Sequence, residues 1–391
     1  MGTHRAIEQA VDRQRSALVS LSHRIHAHPE VAWEEEKAAR WTGEALSDLG
    51  YAVEPDFCGL PTAIRARLGS GPLRIAVCAE YDALPGLGHA CGHNVIAAAA
   101  VGAAAGLAPL VDDLGLTVEV LGTPAEEGGG GKITMLERGG FDSLHTAMMI
   151  HPGPGDVAHA RSFAAGHVQV AYEGKAAHAA AYPEQGRNAA DALTVAQVAI
   201  GLLRQQTASS KRVHGIVTNG GEASNAIPQN TAGRWFIRAE TLDELAEFEP
   251  RVLDCFRAGA LATGTVLEIE PLMKPYAHFA NDEDLLTYFV RNAGRAGRTF
   301  LDDGDPRSRM NTSSTDMGNV SLHLPSIHPF LGINSSPAVN HQREFAAHCI
   351  TPDADLAVRD GAVAMAQTIA DAARDAALRD RLLAGAPQPL H

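Results

Sequence analysis

Residues 73–94 read LRIAVCAEYDALPGLGHACGHN, a short apolar run followed by a loop rich in glycine. The run at 73–79 is mainly apolar and does not alternate, which is typical of a strand buried on both faces. Similar runs follow at 117–121 (TVEVL) and 147–150 (AMMI), and an alanine-rich helical pattern begins at about residue 95. Buried strands that alternate with helices predict an α/β fold with a mostly parallel sheet flanked by helices.

Further helical patterns lie outside this region, at 4–27, 33–49 and 353–384. Thr351 and Pro352 are residue types that favour the N-cap and the first position of the last helix. Residues 165–274 show the order β-α-β-β-α-β, which predicts an inserted ferredoxin-like domain. We therefore expect a catalytic domain in two parts, 1–164 and 275–391, interrupted by this insert at 165–274.

The bulk composition restricts the class of protein. The chain has 391 residues, of which 45% are hydrophobic and 20% charged, as is usual for a globular protein. A formal net charge of −14 argues against nucleic-acid binding, which requires a basic face. Five cysteines without a C-x-x-C pair, and an N-terminus without an apolar stretch, lead us to expect a cytoplasmic protein. The apolar run at 95–110 is too short to span a bilayer and predicts a buried helix, so we expect no membrane association.

Candidate metal ligands follow all three predicted strands. They are His89, Cys91 and His93 after the first strand, Glu126 and Glu127 after the second, and His151 after the third. In open α/β sheets, ligand sites lie beyond the carboxyl ends of the strands. Three separate loops therefore bring metal-binding residue types to one edge of the predicted sheet.

These residue types suit zinc and are atypical of calcium or magnesium sites. Manganese or cobalt remains an alternative, because ligand type does not decide affinity among these ions. A ligand held between two ions would let both act on one water. One of the adjacent Glu126 and Glu127 can bind metal while the other acts as a general base, and spacing does not distinguish them. His89 is more typical of a structural histidine, or of one that supports a ligand, than of a metal ligand itself.

Four motifs carry a resemblance to a known family: EYDALPGLGHACGHN (80–94), GTPAEEGGGGK (122–132), MMIHP (148–152) and STDMGNVS (314–321). They resemble the aminoacylase/carboxypeptidase clan of di-zinc metallopeptidases, and within it the amidohydrolase branch. That branch includes hippurate hydrolase, indoleacetyl-amino-acid hydrolase, aminobenzoyl-glutamate hydrolase and related dipeptidases. The resemblance covers nearly the whole chain.

The resemblance implies a role for each matched residue of the catalytic domain. Cys91 corresponds to the metal-bridging ligand, Glu126 to the general base and Asp82 to the acid that orients a ligand imidazole. The remaining metal ligands that it implies are His93, Glu127, His151 and His341, the last in NHQREF. Asn94 departs from the aspartate that more often follows CGH in the family.

For the insert, the resemblance implies a lid that also forms the dimer interface. His178, in GKAAHAA, corresponds to the histidine that reaches the partner subunit's site and stabilises the oxyanion. Asn225 and Arg238 correspond to residues that hold the carboxylate of the substrate. From the residues alone, Arg238 would be interpreted as a solvated surface charge, although arginine suits carboxylate recognition.

The expected function is metal-dependent hydrolysis of a small linear amide that has a free carboxylate. The resemblance implies an N-acyl amino acid or an aminobenzoyl-glutamate-like substrate, water activated between two zinc ions, and a homodimer. A dipeptidase or an aminoacylase of the same family is the alternative among enzymes. An inactive metal-binding scaffold is the alternative outside them, and the intact Glu126 argues against it.

Overall fold

The computed structural model describes residues 2–385, and these fall into two compact units. One unit comprises the described residues up to Arg161 and from Phe279 onward, and the other comprises Ser162–His278. The strands are β1 (Ala52–Pro55), β2 (Ile64–Leu68), β3 (Leu73–Glu80), β4 (Leu116–Thr123), β5 (Thr146–Met148), β6 (His151–Gly153), β7 (Ala164–Glu173), β8 (Arg212–Asn219), β9 (Asn230–Ala239), β10 (Val266–Pro271), β11 (Ser326–Ile327) and β12 (Phe330–Gly332). The α-helices are α1 (Thr3–Ala27), α2 (Glu36–Asp48), α3 (His93–Leu107), α4 (Gly131–Glu137), α5 (Ala189–Leu203), α6 (Leu242–Thr263), α7 (Glu283–Arg295), α8 (Met317–His323), α9 (Arg343–His348), α10 (Pro352–Arg374) and α11 (Ala376–Ala384).

The first unit is built on a six-stranded sheet in the order β1-β2-β4-β3-β5-β11. The four strands β4, β3, β5 and β11 are parallel, whereas β2 and β1 add an antiparallel edge. The prediction of an α/β fold with a mostly parallel sheet is therefore confirmed. The antiparallel pair was not predicted from the sequence.

Strand β3 shows why its sequence is continuously apolar. Ile75 and Val77 pack into one hydrophobic core, which also holds residues of α1, α3 and α10. The intervening Ala76 and Cys78 pack into a second core together with residues of α4 and α8. Since both faces of the sheet are covered, alternation between apolar and polar residues is lost.

Helix α3 lies in the middle of the first core, and all of its residues are buried. A Cβ atom on Gly102 would lie 2.6 Å from Cβ of Ala362, so glycine allows α3 and α10 to approach closely. The stretch His93–Leu110 is long and apolar enough to cross a membrane by length and composition, but 83% of it is buried inside the protein. The prediction of a buried helix is thus confirmed, although the apolar stretch begins at His93, two residues before the predicted run at 95–110.

The second unit has the chain order β7-α5-β8-β9-α6-β10. Its four strands form an antiparallel sheet in the order β10-β7-β9-β8, so β8 is an edge strand. Side chains of α5 and α6 pack with Val170, Trp235 and Ile237 of the sheet into a separate core.

The prediction of one helix at 353–384 is wrong, because the chain breaks between α10 and α11. Asp375 has an extended backbone (φ −73°, ψ 106°), and its Oδ1 accepts bonds from the N–H groups of Ala377 and Leu378. An aspartate that caps a new helix in this way ends the preceding one. The predicted N-cap of α10 is confirmed, since Oγ1 of Thr351 accepts a bond from the N–H of Ala354.

Candidate metal centre

The proposed metal ligands of the first unit come from loops at the carboxyl ends of the parallel strands. Cys91 and His93 follow β3, and Glu127 follows β4. His151 follows β5 and begins β6. Gly92, with φ +83°, lets the loop after β3 approach residue 152, because a Cβ atom at Gly92 would lie 2.4 Å from Cγ of Pro152.

One group of potential ligands consists of Cys91, His93 and His151. Their donor atoms all lie within 4.8 Å of one another, and all three residues are buried. Sγ of Cys91 is 3.5 Å from Nε2 of His151. A thiolate and two imidazoles at this spacing are a suitable donor set for a transition-metal ion.

A second group shares the same cysteine and consists of Cys91, Glu127 and His341, again within 4.8 Å. Nε2 of His341 is 3.5 Å from Oε1 of Glu127. His341 has a left-handed backbone (φ +69°), and its N–H donates to the carbonyl oxygen of Ala90, which holds it beside Cys91. Because Cys91 belongs to both groups, the chain could hold two neighbouring ions with one thiolate between them.

A second observation also fits a bound metal: some buried polar atoms of these residues have no hydrogen-bond partner. Nε2 of His93 and Oε1 of Glu127 are buried without a hydrogen-bond partner. An unsatisfied buried donor or acceptor is costly, and such atoms in a native protein call for an explanation. A bound cation would satisfy both atoms.

Asp82 fixes the orientation of two ligands at once. Its Oδ1 lies 2.9 Å from Nδ1 of His93, and its Oδ2 accepts a bond from the N–H of Glu127. Nδ1 of His151 likewise bonds to the carbonyl oxygen of Pro152 at 2.8 Å. In both histidines Nδ1 is therefore occupied, and Nε2 is left to face the ligand group.

The adjacent glutamates differ in their electrostatic environment. Burial, together with the charges of Glu80 and Glu127, holds the pKa of Glu126 well above its usual range. Burial would also raise the pKa of Glu127, but the neighbouring His341 and the charge of His93 outweigh it and lower that pKa. Two carboxyl groups with pKa values pushed apart are typical of an acid/base residue beside a ligand.

A buried charge cluster lies next to Glu126 and was not predicted from the sequence. Nζ of Lys132 is 2.5 Å from Oε1 of Glu80 and 2.7 Å from Oδ1 of Asp316. Carboxylate oxygens of Glu80, Glu126 and Asp316 lie within 4.8 Å of one another. Burial would raise the pKa of Glu80, but Lys132 and then His93 lower it to about 2. The sequence contained a pointer to this cluster, because all of its residues lie within the four motifs that carry the family resemblance.

The other proposed site residues belong to the second unit. The N–H of Ala179 donates to the carbonyl oxygen of Asn225, so the segments that carry His178 and Asn225 are neighbours. His178 is largely solvent-accessible, and its Nδ1 accepts bonds from the N–H groups of Ala180 and Ala181. Arg238 lies on β9, with its guanidinium carbon 5.0 Å from the ring centre of Phe236.

His89 is in none of the ligand groups among the described residues. It is buried, with its ring centre 6.0 Å from that of His26. Burial and then the charge of His93 lower the pKa of His89 to about 3, so its imidazole is neutral.

Comparison with known proteins gives a consistent result. The model of the family described as "Peptidase family M20/M25/M40" matches residues 76–370. The Xaa-Arg dipeptidase of Mus musculus is 39% identical over 382 residues, which cover 94% of this chain and 88% of the mouse protein. One of the subunits of p-aminobenzoyl-glutamate hydrolase from Escherichia coli is 32% identical over 286 residues, covering 68% of this chain and 60% of that protein.

Solved structures share the fold at low sequence identity. An aminobenzoyl-glutamate utilization protein from Klebsiella pneumoniae has a TM-score of 0.72 and 20% identity, over 93% of this chain and 98% of that one. A Bacillus subtilis protein, described as a dinuclear metal-binding peptidase of the M20 family, has a TM-score of 0.68 and 19% identity, over 92% and 98%. The family resemblance carried by the four motifs is thereby confirmed. This chain belongs to peptidase family M20/M25/M40, and it is a hydrolase of amide or peptide bonds.

Proposed function

We propose that this chain is a two-metal dipeptidase or N-acyl-amino-acid amidohydrolase that releases an amino acid with a free carboxylate. The observation that carries the proposal is the pair of ligand groups that share Cys91, with the buried Glu126 beside them. A dipeptide is the favoured substrate, because the mouse dipeptidase is 39% identical across 94% of the chain. An aminobenzoyl-glutamate-like amide is the second candidate, supported by the Escherichia coli relative.

In this proposal Cys91, His93 and His151 would hold one divalent ion, and Cys91, Glu127 and His341 would hold a second. Zinc is the proposed metal, with manganese or cobalt as the alternative. When bound, such ions would polarise the amide carbonyl and make a water molecule more acidic.

Glu126 is the proposed general base. A carboxylate beside the ligand group can accept the proton of the attacking water and later deliver it to the leaving amine. The environment that raises the pKa of Glu126 favours a group that both takes up and returns a proton. Asp82 keeps Nε2 of His93 directed at the ligand group through its bond to Nδ1.

We further propose that residues 165–274 form a ferredoxin-like lid that carries the groups which recognise the substrate. Arg238 and Asn225 would bind the carboxylate of the substrate, since a guanidinium can form two parallel hydrogen bonds with it. His178 would stabilise the oxyanion in the partner subunit's site. The solvent accessibility of the His178 segment in the single chain is compatible with a role completed by a second copy.

The proposed homodimer would form through residues 165–274. Strand β8 is an edge strand of its sheet, and Ile216 in it is 65% exposed. Val198 and Leu202 of α5 are each 59% exposed. An unpaired sheet edge that carries an exposed apolar side chain favours strand-to-strand association, and exposed apolar side chains on a helix are a second surface that a partner could cover. Ile216→Lys should therefore shift the mass measured by light scattering from two chains to one, and an unchanged dimeric mass would contradict this interface.

The cysteines support the expectation of a cytoplasmic protein. Cys58, Cys78, Cys91, Cys255 and Cys349 are all free thiols. A disulfide would remove Cys91 from the ligand groups, so a reducing compartment suits the proposed chemistry.

The test is a metal analysis combined with a hydrolysis screen. Purified protein, with and without chelator, is assayed for release of free amine from dipeptides ending in arginine, aminobenzoyl-glutamate and N-acetyl amino acids. We expect about two ions per chain and chelator-sensitive cleavage of the dipeptides. Two ions without any cleavage would favour the scaffold alternative, and no metal would overturn the proposal.

The role of Glu126 is tested by Glu126→Gln. This change should lower kcat by about 10² to 10⁴, because an amide cannot accept the proton. Metal content should stay at the wild-type value. Glu247→Gln, on an exposed position of α6, is the matched control and should retain full activity. A wild-type rate in Glu126→Gln would remove the residue from the mechanism.

A further inference from the structure

The backbone just before Glu126 is in a conformation that its sequence does not favour. Ala125 has φ +57°, in the left-handed region that residues with a Cβ atom rarely adopt. Such strain at a functional site persists only where the surrounding structure enforces it. The contacts of Ala125 should therefore reveal what enforces it.

The N–H of Ala125 donates to Oε1 of Glu35 at 2.8 Å, and both residues are fully buried. The carbonyl oxygen of Ala125 accepts a bond from the N–H of Gly129 at 3.0 Å, which closes the turn that contains Glu126. Glu35 lies in the connection between α1 and α2, 90 positions away in the chain. A distant carboxylate therefore holds the strained peptide group in place.

The residues on either side of Glu126 thus each donate their backbone N–H to a buried carboxylate. Glu35 accepts the N–H of Ala125 on one side, and Asp82 accepts the N–H of Glu127 on the other. The segments that carry these two carboxylates are themselves linked, because the N–H of Ala83 donates to the carbonyl oxygen of Glu30.

Trp33 adds a steric constraint to the same turn. A Cβ atom at Gly129 would lie 2.6 Å from Nε1 of Trp33 and 2.6 Å from Cβ of Ala125. The glycine therefore lets the turn close against both side chains. Trp33 itself has φ +69°, so the connection between α1 and α2 is also held in a special conformation where it meets this turn.

From this geometry we infer that Glu35 is a positioning residue for the proposed base Glu126, acting through the N–H of Ala125. The inference rests on the proposed function of Glu126, and it assigns Glu35 a task that the metal ligands do not perform. The acceptor atom is what matters: glutamine keeps a side-chain oxygen at this position, whereas alanine removes it. A glycine at 125 adopts the left-handed conformation without steric cost and should need the acceptor less.

The experiment compares Glu35→Ala, Glu35→Gln, Ala125→Gly and the double variant Glu35→Ala/Ala125→Gly. Glu34→Ala is the matched control, since Glu34 is the exposed neighbour in the same connection. The first readout is hydrogen exchange of peptides covering 123–131 in the metal-free protein. We expect exchange about tenfold faster in Glu35→Ala, and wild-type exchange in Glu35→Gln and Glu34→Ala.

The second readout separates kcat from KM on a substrate that the wild type cleaves. Misplacing a reacting group by about 1 Å can cost about 10²-fold in rate. We therefore expect kcat of Glu35→Ala to fall about 10- to 100-fold, with metal content and KM close to wild type. Glu35→Gln should retain most of kcat, and Ala125→Gly should restore part of it in the double variant.

Three results would overturn the inference. The first is wild-type hydrogen exchange and wild-type kcat in Glu35→Ala. The second is an equal loss of kcat in Glu35→Gln and Glu35→Ala, and the third is a kcat in the double variant no higher than in Glu35→Ala. If the wild type cleaves nothing in the screen, the proposed function fails. The exchange measurement still decides whether Glu35 holds the turn, because it requires neither metal nor substrate.

Discussion

Replacing Lys132 by methionine should destabilise the first unit more than any single surface change. The ammonium of Lys132 is fully buried and contacts both Glu80 and Asp316. Methionine matches the length of the aliphatic stem but removes the positive charge. Two carboxylates would then remain buried beside each other without the cation that now lies between them.

The expected magnitude follows from the burial of all three groups. Removing one partner of a buried ion pair costs about 3–5 kcal/mol, because the other charge is left uncompensated. Lys132 serves two carboxylates, so we expect a loss in the unfolding free energy at the upper end of that range. The ion pair of the exposed Lys37 with Glu30, at 3.6 Å, provides the comparison, since a pair whose cation stays in contact with water contributes about 0–1 kcal/mol.

The assay is urea denaturation of metal-free protein at pH 7, followed by circular dichroism, for wild type, Lys132→Met and Lys37→Met. Chelation ensures that a change in metal affinity does not enter the result. Adding Asp316→Asn to Lys132→Met should recover part of the loss, because one of the two uncompensated charges is removed. If Lys132→Met differs from Lys37→Met by less than about 1 kcal/mol, the reasoning from buried charge is refuted.

Three other changes test separate features. Burial and the charge of Asp82 raise the pKa of Glu35 from 4.5 to about 7, so the stability of the folded protein falls as pH rises from about 4.5 to about 7, the range in which only the unfolded chain has released this proton. Glu35→Gln should therefore raise the unfolding free energy of the metal-free protein by up to about 3 kcal/mol above pH 7, and should leave it unchanged below about pH 4.5. Denaturant titrations at each pH measure this difference, and equal stabilisation above pH 7 and below pH 4.5 would contradict it. Thr351→Ala removes the cap bond to Ala354 and should cost about 1 kcal/mol in the same titration, and no loss would mean that the cap contributes nothing. Excess chelator should lower the unfolding temperature, since an ion bound only by the folded state stabilises it, and an unchanged temperature would exclude bound metal.

The sequence predicted best those features that depend on local pattern. Three continuous apolar runs indicated the parallel strands, and the loops after them contain Cys91, Glu127 and His151, which the structure brings into shared ligand groups. The inference works because parallel strands place their carboxyl ends at the same edge. His341 comes from far along the chain, and only the family resemblance pointed to it.

Features that depend on tertiary contact could not be predicted in this way. The bond from Ala125 to Glu35 and the ion pairs of Lys132 join segments that are distant in sequence. No periodicity indicates which distant carboxylate meets which donor. The break at Asp375 was missed for a related reason, because the residues on both sides of it are helical and only the bonds of the Asp375 side chain show where one helix ends and the next begins.

The ligand groups are also unequal in their access to water. The side chain of His341 is 52% exposed, whereas that of His93 is fully buried. An ion held by Cys91, Glu127 and His341 would have a ligand that can swing away into solvent, and an ion held by Cys91, His93 and His151 would not. Dialysis would then remove the two ions in separate phases, one fast and one slow. Preparations with the same sequence and fold would differ in activity according to how long each had stood in buffer.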